Sequence, residues 1–215
     1  YDLKTLTPGL AESWQVSPDG KTFTFKLRDD VKFHSGRKLT SADVKYTFER
    51  ILNPPKSTKK RKIRSPHKFR LGQLKAIETP DETTLVLKFK SRRADLLVQL
   101  TNPFMGIIDR EAVEKYGERY GAAGVGGTGP FMLDKWVVHD RAVLKRFPDY
   151  RWGPSYFKNK GPAHIEEIVF RVIPEWQTHM FEFELGNVHT SRHMRLSDIE
   201  VLKRNKDVRI LSVYP

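Results

Sequence analysis

The sequence predicts an α+β fold, with short strands in antiparallel pairs and helices set apart from them. Three observations carry this. Phe23, Phe25 and Leu27 alternate with Thr24 and Lys26, and Leu85, Leu87 and Phe89 share one face in the same way, the pattern of half-buried strands. Val44, Phe48, Ile51 and Leu52 instead recur at helical spacing behind a capping-box pattern, Thr40-x-x-Asp43. Turn clusters such as Ser17-Pro18-Asp19-Gly20 separate these segments, and no internal repeat has a fixed period.

The elements follow in order. Thr7-Pro8-Gly9 and Ser17–Gly20 are turns, and Leu10 and Trp14 lie between them four residues apart. The strand through Leu27 continues to Val31 and Phe33, and Ser35-Gly36 turns the chain. The helix from Thr40 stops at Asn53-Pro54-Pro55, because proline lacks the N–H that a helix interior needs. A strand from Leu71 to Glu78, a turn at Thr79-Pro80-Asp81 and the Leu85–Phe89 strand form an antiparallel pair. Ala94–Leu100 is a short helix, and Asp109 caps another that carries Val113, Tyr116 and Tyr120. A hairpin follows: Phe131–Val138, a turn at His139-Asp140, and Ala142–Phe147. Ile165–Ile173 is nearly all apolar and reads as a fully buried strand. A helix then places Trp176, Met180 and Phe183 on one face, with Gly186 past its end. Ser197-x-x-Glu200 is a second capping box, opening a helix with Ile199 and Leu202, and Val208–Val213 is a last strand. Two cores are expected, one around Phe23, Phe25, Leu27, Phe48, Leu85, Leu87 and Phe89, the other around Phe131, Leu133, Phe170, Val172 and Phe183.

The 215 residues are 38% hydrophobic and 30% charged, a globular composition with no apolar run of membrane-spanning length. There is no cysteine, which excludes disulfides and thiolate metal sites. The net charge of +13 favours anionic partners. Much of it is local: Lys56–Lys75 holds nine Lys or Arg and no Asp or Glu. That stretch offers a basic module for an acidic polymer or nucleic acid, a patch for an acidic membrane or partner surface, or else a solvated loop. Single-strand binding would call for interleaved aromatics, and only His67 and Phe69 are there.

Gly124, Gly126 and Gly129 fit G-x-G-x-x-G, but the dinucleotide fingerprint opens a helix. Here Pro130 and a strand follow, so the glycines read as a turn without phosphate, with at least one of Gly127 and Gly129 at positive φ. His189 and His193, with His179 nearby, have the spacing of a helical metal pair, yet no carboxylate completes a ligand set. They read as solvated histidines. There is no G-x-S-x-G and no sign of a paired acid and base, so the chain is not read as an enzyme.

Several segments, in order, carry a resemblance: Pro8-Gly9-Leu10-Ala11-Glu12-Ser13-Trp14, Ser17-Pro18-Asp19-Gly20, Val31-Lys32-Phe33-His34-Ser35-Gly36 with Leu39-Thr40 and Asp43-Val44, Gly127-Thr128-Gly129-Pro130-Phe131, and Pro148-Asp149-Tyr150 with Trp152-Gly153. Glu111–Gly117 and Ile168–Pro174 add to it. Together they resemble the peptide- and nickel-binding family (family 5) of extracytoplasmic solute-binding proteins, the capture component of ABC importers. The resemblance implies a periplasmic-binding-protein-like lobe I with its extra subdomain in residues 1–110 and the main, incomplete part of the lobe in 111–215. The second lobe is expected to be absent, so that the sequence is a piece of a two-lobed protein. The resemblance further implies a periplasmic or extracellular location, with lipid anchoring one option, no cofactor, and three partners: a peptide or other small solute, a membrane permease and the missing lobe. No specific nucleic acid is expected. The loop Asn102, Phe104, Met105 and Gly106 is the candidate ligand contact, since this region faces the cleft in relatives; the competing reading is that its apolar side chains cap the core. Ser35, Arg37, Lys38 and His189 depart from the family pattern, which usually has an acidic residue near Ser35, small residues or proline near Arg37 and Lys38, and Asp near His189.

Overall fold

A computed structural model describes residues 5–55, 65–191 and 194–211. The chain forms two compact units, Tyr1–Phe170 and Arg171–Pro215. The first unit opens with β1 (Ala11–Val16), β2 (Thr22–Leu27) and α1 (Ser41–Leu52), followed by β3 (Leu74–Asp81) and β4 (Thr84–Phe89). These strands form one antiparallel sheet in the order β1-β2-β4-β3. Short elements come next: α2 (Leu96–Leu100), a 3-10 turn (Pro103–Met105) and α3 (Arg110–Tyr116). A second sheet, β5-β6-β7, is built from Phe131–Val137, Arg141–Arg146 and Glu167–Arg171.

The alternation seen in the sequence sets the core. Phe23 and Phe25 of β2 pair across the sheet with Leu87 and Leu85 of β4, and Leu27 continues the β2 alternation, so one apolar face runs over the two central strands. α1 covers that face with Val44 and Phe48, both buried. All seven residues expected in the first core belong to one cluster. Phe23 and Phe89 meet edge-on at 5.8 Å, a favoured aromatic geometry.

Several expectations are corrected. β1 was not foreseen; it is an edge strand whose backbone pairs with β2 from Ala11↔Leu27 to Val16↔Phe23, a pairing that its mixed side chains do not announce. Val31 and Phe33 do not extend β2. They are fully buried from a loop whose one bridge is Lys32↔Lys38. The β3–β4 turn falls at Glu82-Thr83, where Asp81 Oδ1 accepts from the Thr83 N–H at 2.8 Å, a local bond that competes with strand pairing. The second core does not form as expected. Phe147 and Trp152 are buried in the first cluster, whereas Phe170 is 59% and Val172 54% exposed. β7 is therefore not a buried strand here: a near-continuous apolar run needs cover on both faces, and β7 neighbours β6 alone in its sheet.

In the second unit, α4 (Trp176–Glu184) carries Trp176, Met180 and Phe183 half-buried on one face, and Gly186 lies past its end at φ 77°. The second capping box is absent. α5 (Leu196–Leu202) starts from Arg195, so Ser197 lies inside it, and Asp198 accepts from Trp176 Nε1 at 3.0 Å instead. Residues 208–211 form no strand, and 212–215 lie outside the described residues.

Leu87 is fully buried in a central strand. Leu87→Ala is expected to cost about 3 kcal/mol through lost transfer energy and a residual cavity. Val172→Ala, at an exposed site, should change stability by less than about 0.5 kcal/mol. Urea denaturation followed by tryptophan fluorescence compares the two.

Candidate functional site

The described residues of the first unit frame two cavities. The larger, about 480 Å³, is walled by the apolar core face on one side and by Thr101, Asn102, Pro103, Met105, Gly106 and Ile107 on the other, with Trp14 and Tyr156 at its border. Among the described residues, no Asp, Glu, Lys, Arg or His lines it. Its volume lies in the range of small-molecule sites. Such a cavity accepts an apolar group and rejects a bare charge, because an unpaired ion would forfeit its hydration there.

The four candidate residues are not equivalent. Asn102 caps the Pro103–Met105 turn: Oδ1 accepts from the Phe104 N–H at 3.1 Å, and the proline fills a position where no donor is needed. Asn102, Met105 and Gly106 line the cavity. Met105 is also 4% exposed and part of the core cluster, so it does both things that the sequence left open. Phe104 is not in the cavity wall. It is 66% exposed and stacks on His67, with ring centroids 4.5 Å apart. Trp14 and Tyr156 were missed as cavity residues; they are distant in sequence, and no local pattern joins them.

The smaller cavity, about 440 Å³, includes His34, Ser35, Asp109, Glu111 and Lys115. Beside it lies an ion cluster. Arg37 donates to Asp43 at 2.7 and 3.1 Å and to Asp109 at 2.8 Å. Asp109 is fully buried and also accepts from the Ser35 hydroxyl at 2.7 Å and the Glu111 N–H at 3.1 Å. Asp43 in turn accepts from the Thr40 N–H at 2.9 Å, the capping-box bond expected for α1. Burial would raise the Asp109 carboxyl, but the bonds from Arg37 and Ser35 outweigh it and hold it below the usual carboxylate range. The same carboxylates, Asp43 foremost, raise the Arg37 guanidinium above its ordinary value.

The glycine stretch is a docking strip of carbonyls. Gly127 C=O accepts from the His34 N–H at 2.9 Å, Thr128 C=O from Trp152 Nε1 at 2.8 Å, and Pro130 C=O from the Phe147 N–H at 2.8 Å. His34 Nε2 lies 3.0 Å from Gly129 C=O, so that nitrogen carries the proton. From Gly127 to Pro130 the loop thus directs carbonyl acceptors at its neighbours, unlike the N–H groups that cradle a phosphate. The expected positive φ at Gly127 or Gly129 is not found. Close approach explains Gly126 instead: a Cβ there would lie 2.5 Å from the Asp109 Cβ and 2.8 Å from the Ala112 Cβ.

Among the histidines, His179 Nε2 is 2.9 Å from Ser191 Oγ, and His193 lies outside the described residues. Among the described residues no group of three His, Asp or Glu could hold a metal ion. In the basic stretch, 56–64 lie outside the described residues, and Lys68–Leu71 is a 3-10 turn.

Two outcomes test this site. Arg37→Ala leaves buried Asp109 without its cation and is expected to cost about 3 kcal/mol. Because the Asp109 carboxyl is depressed, its contribution is present above about pH 3.9 and lost as pH falls further; the variant lacks the main bond that depresses it, so that acid-side loss should be smaller. For His34 the sign is the other one. Burial pushes its imidazole down, more than the Gly129 carbonyl and Asp109 hold it up. The unfolded chain therefore takes the proton first, and stability should fall as pH drops below about 6.5. His34→Gln is expected to flatten that fall. Urea unfolding across a pH series measures both.

Residues 5–215 match the model for bacterial extracellular solute-binding proteins, family 5, middle region. The glutathione-binding protein GsiB of Escherichia coli O1:K1 is 29% identical over 203 residues, which make up 94% of this chain and 37% of that protein. The ABC transporter-associated periplasmic binding protein DppA from Helicobacter pylori, solved with the peptide STSA, superposes with a TM-score of 0.80 at 25% identity, over 96% of this chain and 41% of that one. The binding protein AgaA from A. tumefaciens R10, solved with agropinic acid, gives a TM-score of 0.71 at 33% identity, over 84% and 34%. The chain thus spans well under half the length of these relatives. The match runs through both sheets, the glycine strip and the basic stretch alike, and the chain belongs to the family 5 bacterial extracellular solute-binding proteins.

Proposed function

We propose that this chain is the first-lobe part of a substrate-binding component of an ABC importer, capturing a peptide or related small solute outside the cytoplasmic membrane for delivery to a permease. The observation that carries the reading is the uncharged cavity walled by Asn102, Met105 and Gly106, in a fold shared with a relative solved with a bound peptide. An apolar side chain of the solute enters that cavity, and Asn102 supplies a polar contact at its edge. Phe104 borders the site from its exposed side. Charged solute termini are read elsewhere, since no charged residue among those described lines the cavity. The reading needs no catalytic group.

In the same reading, residues 1–110 are the extra subdomain and 111–215 belong to the main part of the lobe. The separation of β1–β4 from β5–β7 into two sheets supports that boundary. A second lobe and its linkers cover apolar surface that is open in this chain, such as Phe170 at 59% and Phe181 at 65% exposure. Lipid anchoring of the longer protein is one way to hold it near its permease.

One lobe encloses about half of a solute while association keeps its full entropic cost. Calorimetry of this chain against a pool of di- to pentapeptides is therefore expected to show affinity no tighter than about millimolar. Asn102→Asp, which places a charge at the cavity, should weaken capture of apolar peptides further. Micromolar binding that survives high salt would mean that this chain alone holds a complete site. Binding to a polyanion instead, falling steeply with salt, would favour a basic interaction module in residues 56–75.

A further inference from the structure

Around the Lys68–Leu71 turn and α2, exposed apolar side chains lie beside basic sequence. Phe69 is 62% and Val98 61% exposed. Arg70 links the turn that carries Phe69 to the helix that carries Val98: its guanidinium lies 4.9 Å over the Phe69 ring, and its Nη1 donates to Gln99 at 2.5 Å. Phe104 extends the same surface through its stack on His67. Lys68 is exposed on the turn that carries Phe69. From Ser65 through Ile77 the sequence has no Asp or Glu. The carboxylate nearest in sequence on the other side, Asp95, is already held by Arg93 at 3.0 Å.

We propose that this face docks on an anionic phospholipid surface. Exposed apolar tips gain by entering the interface between headgroups and acyl chains, and cations beside them meet the anionic headgroups. A lipid surface needs no shape complementarity, which suits side chains set on two 3-10 turns and a short helix. A nucleic acid fits less well: Val98 offers no stacking, and the Phe69 ring is covered on one side by Arg70. The face is distinct in chemistry from the uncharged cavity, and its test spares Phe104, which borders the solute site.

Co-sedimentation with extruded vesicles tests the proposal, using phosphatidylcholine alone and phosphatidylcholine mixed with phosphatidylglycerol. The chain is expected to bind the mixed vesicles and not the neutral ones. Phe69→Ser combined with Val98→Gln should lower that partitioning by at least about tenfold. Lys68→Glu should lower it and reduce its dependence on salt. All three positions are exposed, and an unchanged thermal melt checks that the variants fold. Binding undiminished in the Phe69/Val98 variant would reduce the effect to net charge and overturn the proposal. So would equal binding to neutral vesicles, no binding to either, or binding to an oligonucleotide or polyglutamate while mixed vesicles are ignored.

Discussion

Asp109 is fully buried, so its charge must be met inside the protein, and Arg37 meets it. The consequences spread outward. Asp109 is the N-cap of α3, and its own N–H donates to Gly126 C=O. Arg37 also holds Asp43 in the first turn of α1, so one guanidinium fixes the starts of two helices. An ion pair at this depth gains little over an apolar replacement, but losing one partner is costly, because the other charge stays buried. Ser35 and Arg37 both bond to Asp109, so the buried carboxylate, the guanidinium and the hydroxyl form a mutually satisfied set.

The glycine strip is the second constraint. Its carbonyls are taken up by His34, Trp152 and Phe147, which attach the start of β5 to the core of the first sheet. Trp152 and Phe147 are buried in that core, and their rings meet edge-on at 6.0 Å. The strip can lie this close only because Gly126 has no side chain to strike Asp109 and Ala112. Close packing, not backbone handedness, is what glycine provides at this point.

The cavity is a by-product of the same arrangement. The apolar face of β2 and β4 is wider than α1 can cover, and the remainder is bordered by the Asn102–Gly106 loop and by Trp14. The loop is stiff at that border: Asn102 caps it, Pro103 fixes its first residue, and Met105 anchors it in the core.

The amino-acid sequence by itself determined the elements whose period is strong. The β2 and β4 alternation, α1 with Asp43 in its first turn, the Asp109 cap and the β5–β6 hairpin are all legible because each signal lies within one turn or one strand. The first core was legible for the same reason. Of the site, Asn102, Met105 and Gly106 could be singled out as a turn with apolar residues, but not the wall they belong to. Tertiary structure decided the rest. Whether Phe104 faces the cavity or His67, whether Ile165–Ile173 is buried, and which cation meets Asp109 depend on contacts up to 72 residues apart, and local periodicity carries no information about such distances. β1 shows the limit most clearly: its pairing comes from main-chain N–H and C=O groups, which every sequence has, so only a neighbouring strand makes it a strand.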